Sequence, residues 1–265
     1  MVRVCTLYSG SSANCTFIEN DGRAILIDAG AGIKKTGQAL NSIGSGYDNV
    51  EAIFITHEHS DHIAGLKTIL KHHERIPVIG NEKTLAAIKN SYPEINCKNF
   101  HAMATGAKAN NGVMQVTSFR TLHDSAECVG YIVNTGNQKI GVMTDVGEET
   151  SQTLDFLSGC NTLVVESNHD VDKLWNGAYP YMLKQRIGGK YGHFSNEQCG
   201  CLMGKAVKAS VKNIILAHLS KENNTPELAF DTVAKHISDM GAIIGGDIDL
   251  SVAPRNEVSK IIIHE

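Results

Sequence analysis

The chain has 265 residues, 42% of them hydrophobic and 20% charged, a balance that allows one sizeable core and excludes a disordered or fibrous chain. Its net charge of −4 excludes a molecule held on nucleic acid by bulk electrostatics, so any such binding must be local. No apolar run approaches the roughly 18 residues that span a bilayer, and MVRVCTLYSG enters a strand pattern without a signal-peptide signature, so the expectation is a soluble, cytoplasmic protein with no membrane partner.

In chain order, RVCTLY, CTFIE and AILIDAG read as short strands, followed by a helix over GIKKTGQALNSIG that stops at Gly44. VEAIFIT is an apolar, β-branched run of the kind buried on both faces, and the polar cluster HEHSDH follows it directly. Then come helix IAGLKTILKHH, strand PVIG, helix EKTLAAIKNSY and strands MQVTSFRTL, CVGYIVN and KIGVMTD, with Asn-Gly and Gly-Asn turn signals between some of them. Strand TLVVESN, a helix opening at Ser195, strand NIILAH, helix PELAFDTVAKHISDM and terminal strands AIIGG, DLSV and VSKIIIH complete the chain. Sheet plus helix thus occurs twice with no linker between. The expectation is one domain over residues 1–265, an α/β fold whose halves pack sheet on sheet with helices outside, a four-layer αββα sandwich.

Seven cysteines, Cys5, Cys15, Cys97, Cys128, Cys160, Cys199 and Cys201, form no CxxC pair. Such an odd, scattered set fits a reducing compartment and small buried hydrophobes without chemistry. The informative pattern lies elsewhere. Predicted strands repeatedly run into a metal-ligand residue type: VEAIFIT into His57, SFRTL into His123, GVMT into Asp145 and IILA into His218. Strand ends line one rim of a sheet, so distant residues can converge there. Within THEHSDH, His57 and His59 are two apart and point the same way in an extended segment, whereas Asp61 and His62 lie past the bend. Asp61 also stands where an N-cap is expected, but three histidines within six residues favour metal binding over capping. His72, His73, His101, His236 and His264 sit in no motif and read as structural or solvated.

THEHSDH resembles the HxHxDH signature of the metallo-β-lactamase superfamily, and His123, Asp145 and His218 fall where its later ligands belong. The resemblance implies that His57, His59 and His123 bind one divalent ion, that Asp61, His62 and His218 bind a second, and that Asp145 bridges them. Asp28, in AILIDAG, matches the early aspartate that supports the histidine loop from behind. SGSSANC, TLHDS, TDVG, ESNHD, GAYPYMLKQRIGGKYGHFSN and AHLSKENNTPELA extend the likeness over nearly the whole chain to the YycJ (also called WalJ) family of bacterial exonuclease-like proteins. One departure is Ala13, where the family has Gly; a positive φ there would make Ala costly.

That family implies 5′-to-3′ removal of nucleotides from double-stranded DNA, and the mixed imidazole and carboxylate set suits Zn or Mn alike as the two metal ions. Two close cations lower the pKa of a water to give hydroxide and neutralise charge on a phosphoryl oxygen, and Asp61 could hold a metal and orient the nucleophile together. His193 in KYGHFSN resembles the Gly-His-Ser element of the RNase Z enzymes, where such a histidine assists the leaving group; the bland reading is a surface loop histidine. Candidate substrate contacts are Ser11, His169, Lys184, Arg186 and Asn223. Lys184, Arg186, Lys190, Lys205, Lys208 and Lys212 face one acid, Glu197, over residues 184–212, a phosphate track or a solvated face. The alternatives are a thioester or lactone hydrolase on the same fold, an RNA-processing nuclease, or a metal-binding protein without turnover; the long GAYPYMLKQRIGGKYGHFSN element points to the nuclease branch.

Overall fold

The computed structural model describes residues 1–208 and 210–265. The apolar runs form strands and the amphipathic runs form helices. Chain order begins with β1 (Val2–Tyr8), β2 (Cys15–Asn20), β3 (Arg23–Ile27), α1 (Ile33–Ser42), β4 (Val50–Ile55), α2 (Ser60–Ile63), α3 (Leu66–His72), β5 (Val78–Gly80), α4 (Glu82–Ser91), β6 (Phe100–Ala102) and β7 (Lys108–Asn110). It continues with β8 (Gln115–Arg120), β9 (Val129–Asn134), β10 (Lys139–Met143), α5 (Thr153–Leu157), β11 (Thr162–Glu166), α6 (Val171–Asn176), α7 (Tyr181–Ile187), α8 (Asn196–Ala206), β12 (Asn213–Ala217), α9 (Pro226–Asp239), β13 (Asp249–Val252) and β14 (Ile262–His264). The strands make two seven-stranded sheets, ordered β14-β1-β2-β3-β4-β5-β6 and β13-β12-β11-β10-β9-β8-β7. Both are mixed: β3 to β6 and β10 to β13 run parallel, whereas β1 pairs antiparallel with β2 and β14, and β9 with β10. No described helix is long and apolar enough to cross a membrane.

Contacts divide the chain into two units, Met1–Ser118 with Ser125–Val129 and Pro254–Glu265, and Phe119–Asp124 with Gly130–Ala253. Each has its own core. In the first, Leu7, Phe17, Leu26, Ile53 and Ile55 from the strands meet Leu40, Leu66, Ile69, Leu85 and Ile88 from the helices. In the second, Met143, Leu163, Val165 and Leu216 meet Leu157, Leu202, Met203, Val233 and Ile237. Each such side chain contributes roughly 1.5–3 kcal/mol on burial. Cys5, Cys15, Cys128, Cys160 and Cys199 join the buried set, Cys97 is half-buried, and Cys201 is exposed.

Local chemistry explains the helix starts. Ser195 and Gln198 form a reciprocal capping box before α8, and the Thr225 side chain caps α9 with Pro226 in its first turn. The helix expected over IAGLKTILKHH is instead two helices, α2 and α3, and it starts earlier. Gly65 lies between them because a Cβ there would stand 2.0 Å from the Ala31 carbonyl oxygen, so the backbone comes too close for any side chain. Asp61 lies inside the first turn of α2, with His59 at the N-cap position, so capping does not account for it. AIIGG is not a strand; Ile244 makes a single bridge with Ile248. Ala13 is not among the non-glycine residues of positive φ, so it carries no strain of that kind.

Candidate metal centre

Among the described residues, five non-glycine positions have positive φ, and three of them are Asp28 (66°), Asp145 (58°) and His218 (56°). Each stands just past the end of a buried strand, β3, β10 or β12. Left-handed backbone costs such residues on the order of 1 kcal/mol or more and persists only where the surroundings over-determine it, which is characteristic of functional sites.

In the first unit, β4 runs out into His57, and the turn into α2 brings His59 and His62 beside it, with ring centroids 4.5 and 4.2 Å from that of His57. His57 and His62 are buried. The Asp28 carboxylate lies behind them. It accepts from His62 Nδ1 at 2.7 Å and from the Thr56 backbone amide at 2.8 Å. His57 Nδ1 donates to the Thr56 hydroxyl at 3.0 Å, and that hydroxyl donates to Asp28 at 2.9 Å. With Nδ1 protonated and held, each ring has its Nε2 lone pair directed forward, the orientation a carboxylate gives to metal-ligating histidines.

Asn14 is buried beside these groups. Its side-chain amide donates to Asp61 Oδ2 at 3.1 Å and lies 3.1 Å from His62 Nε2, while its oxygen accepts from the Gly10 amide at 2.9 Å. Ser11 is exposed at the tip of the same loop.

In the second unit, the ligand atoms of Asp145, Glu166, His193 and His218 lie within 4.8 Å of one another. Glu166 organises them. One oxygen accepts from His218 Nδ1 at 2.6 Å and His193 Nδ1 at 2.9 Å; the other accepts from the amides of Val146 at 2.9 Å and Phe194 at 3.2 Å. Four donors fill the carboxylate's lone-pair directions. Burial by itself would raise its pKa, but His193 and His218 more than offset this and bring it down to about 2. For His193 burial works to lower the pKa, and Glu166 reverses it to a net rise. Sequence reasoning missed Glu166; its one signal is a lone acid closing the otherwise uncharged strand TLVVE.

His123 Nδ1 donates to the Gly192 carbonyl at 2.9 Å, and its Nε2 stands 3.6 Å from Asp145 and 3.3 Å from Asp124. Burial depresses its pKa most, ahead of the opposing pull of Asp145. Arg186 donates to both oxygens of Asp124 at 2.5 and 3.2 Å, and Lys184 Nζ donates to the Trp175 carbonyl at 2.8 Å. Lys205 pairs with Glu149 at 2.8 Å. Asn223 is buried, its carbonyl accepting from the Asp170 amide at 2.9 Å.

His169 is 3% exposed, and its Nδ1 has no hydrogen-bond partner among the described residues. Burial lowers its pKa to about 4, so it is neutral near pH 7. The unfolded chain takes up a proton below about pH 6.5 that the folded chain refuses until about pH 4, so this stability is complete above that window and lost as pH falls through it. For the metal-free protein we expect a loss from this group of about 2 kcal/mol between pH 7 and pH 5, read from urea midpoints. His169→Gln should remove that share of the pH dependence; an unchanged slope would show that His169 is not held neutral.

Residues 23–218 match the beta-lactamase superfamily domain. The chain belongs to the metallo-β-lactamase superfamily of metal-dependent hydrolases. Over 239 residues it is 35% identical to exodeoxyribonuclease YycJ of Bacillus anthracis, covering 90% of both chains. It is 33% identical to exodeoxyribonuclease WalJ of Streptococcus pneumoniae, covering 91% of this chain and 90% of that one. The Zn²⁺-bound PqqB of Methylobacterium extorquens has the same fold, with a TM-score of 0.72 over 99% of this chain and 100% of that one at 14% identity. The chain therefore has the metallo-β-lactamase fold, two mixed sheets flanked by helices. Its histidine and carboxylate clusters are of the kind that hold the superfamily's binuclear metal site. The donor set fits divalent ions on its own chemistry: imidazoles held at Nδ1 and carboxylates close by suit zinc and manganese alike.

Proposed function

We propose that the protein is a two-metal phosphodiesterase that removes nucleotides from the 5′ ends of double-stranded DNA. The observation that carries this reading is the likeness to two exodeoxyribonucleases over nine-tenths of each chain. The geometry of the second unit supports a phosphodiester substrate, because it supplies a histidine poised to give a proton to a leaving oxygen.

The ligand assignment follows the superfamily's motif order: His57, His59 and His123 for one ion, Asp61, His62 and His218 for the other, and Asp145 shared between them. When bound, the ions supply charge neutralisation at the phosphate and an activated water. The chain's own residues do the rest. Asp61, steadied by the Asn14 amide at 3.1 Å, orients the attacking water through its second oxygen. His193, whose Nδ1 proton is held by Glu166 at 2.9 Å, protonates the departing oxygen. Its raised pKa suits a proton donor at neutral pH. Asp28 and Glu166 keep the histidines in the ligating tautomer. Lys184 and Arg186 serve mainly to brace α7, and Ser11, His169 and Asn223 remain candidates for substrate contact.

The test is a set of end-labelled duplex and single-stranded DNA and RNA substrates with 5′-phosphate or 5′-hydroxyl ends, incubated with Mn²⁺-loaded, Zn²⁺-loaded and chelator-treated protein. The expected result is metal-dependent shortening of duplex DNA from its 5′ ends. No cleavage of any nucleic acid, with turnover of a thioester or lactone instead, would replace this proposal with the small-ester reading.

A further inference from the structure

Exposed large hydrophobic side chains are concentrated in one short stretch of the second unit. Of the nine among the described residues, five are Val171, Trp175, Tyr181, Met182 and Tyr191, with Tyr181 65% and Met182 75% exposed. Two of them adjoin. The rings of Trp175 on α6 and Tyr181 on α7 lie with centroids 6.3 Å apart. Gly188, at the end of α7, lies beside the indole, where a Cβ would stand at ordinary contact distance, 3.5 Å from Trp175 Cζ2. Gln185 donates to the Tyr181 hydroxyl at 3.1 Å, and Lys184 binds the Trp175 carbonyl at 2.8 Å, which hold both aromatic residues in place.

The backbone of this stretch is tied to the candidate metal centre. The Ile187 carbonyl accepts from the His193 amide at 2.8 Å, and the Tyr191 carbonyl accepts from the Asp124 amide at 3.0 Å, one residue from His123. The same stretch of sequence carries Lys173, Lys184, Arg186 and Lys190 with one acid of its own, Asp172, in a chain of net charge −4. Exposed aromatic faces among cations, leading toward a phosphodiester site, match a polyanion whose units carry flat apolar rings.

We propose that α6, α7 and the loop to Tyr191 form a stacking platform for an unpaired DNA strand; the assignment of DNA rests on the nuclease reading above. Stacking, and not phosphate pairing, carries the affinity. Arg186 is committed to Asp124 and Lys190 stands 3.8 Å from Glu148, whereas Trp175 and Tyr181 are 43% and 65% exposed. Bases inside a duplex are already stacked on both faces and a blunt end offers only its terminal pair, so an unpaired end lies best on Trp175 and Tyr181. A duplex end is therefore frayed onto this platform before it reaches the metal centre.

Trp175 is the chain's one tryptophan, so its fluorescence reports the platform without any label and without turnover. Chelator-treated protein titrated with a short oligodeoxyadenylate should show saturable quenching. A duplex with an unpaired 5′ tail should quench as well, and a blunt duplex much less. Tyr181→Ala should raise the Kd about tenfold, with an unchanged melting temperature because the side chain is exposed. Trp175→Phe should lose the signal but keep binding, as read by anisotropy of a labelled oligonucleotide. No quenching by the DNA strand, quenching only by the matching oligoriboadenylate, or a Tyr181→Ala Kd equal to wild type would overturn the platform, even if the metal-loaded protein digests DNA. Quenching without digestion would leave the platform standing and overturn the nuclease reading alone.

Discussion

Glu166→Gln is expected to lower kcat/KM of the metal-loaded protein by about 100-fold or more, since an outer partner of one metal-ligating histidine is worth roughly 10–100-fold and Glu166 holds two histidines. The substitution is nearly isosteric, so its effect is chemical. In the native protein one carboxylate oxygen receives His193 and His218, and the other receives the amides of Val146 and Phe194. A glutamine must turn its NH2 group toward one of these pairs. Either way, two buried donors face a third donor, at a cost of about 2–5 kcal/mol. Metal retained after dialysis against a weak chelator should fall together with kcat/KM, and the urea midpoint should drop. Native metal content with native turnover would remove Glu166 from any role in positioning. Because the folded carboxyl titrates near pH 2, its stabilising contribution is complete above the ordinary carboxylate range and disappears as pH falls toward 2.

Gly30→Ala is expected to disable the histidine loop by sterics alone. A Cβ at Gly30 would stand 1.9 Å from the Asp61 carbonyl oxygen and 2.6 Å from the Asn14 amide nitrogen. Both are backbone atoms, so no side chain can swing away. They are also partners, the Asn14 amide donating to Asp61 at 2.8 Å, so the methyl group would force apart the bond that ties α2 to the loop leading into β2. Stability should fall by roughly 3 kcal/mol, and activity should fall with the displaced Asp61 and His62. Gly46→Ala is the matching control. Gly46 has extended backbone and nothing within 4 Å of its missing Cβ, so stability and activity should stay within about 0.5 kcal/mol of wild type. Equal behaviour of the two variants would sink the argument.

Much of the chemistry was legible because it is written locally. His57, His59, Asp61 and His62 fall within six residues, and β4 and β12 announce the positions of His57 and His218 by running apolar up to them. The strands and long helices were legible for the same reason: burial on both faces leaves a continuous apolar run, and a buried helical stripe leaves a period of 3.6. The short elements α5, α6, α7, β6 and β7 were not, because three to seven residues hold too few periods to read and tertiary packing sets them.

Glu166 was hidden for a deeper reason. Its partners His193 and His218 are 27 and 52 residues away, and nothing local marks a strand-closing glutamate as their common acceptor. The parallel ladder decides it. Glu166 pairs with Ala217 across β11 and β12, one residue before His218, and Val165 pairs with Met143 across β10, two residues before Asp145. The sequence by itself pointed to candidate metal donors, because ligand chemistry depends on residue type and near spacing. Only the tertiary structure decided which carboxylate and which amide hold those donors in place, because hydrogen-bond partnership depends on strand register between segments that the sequence keeps far apart.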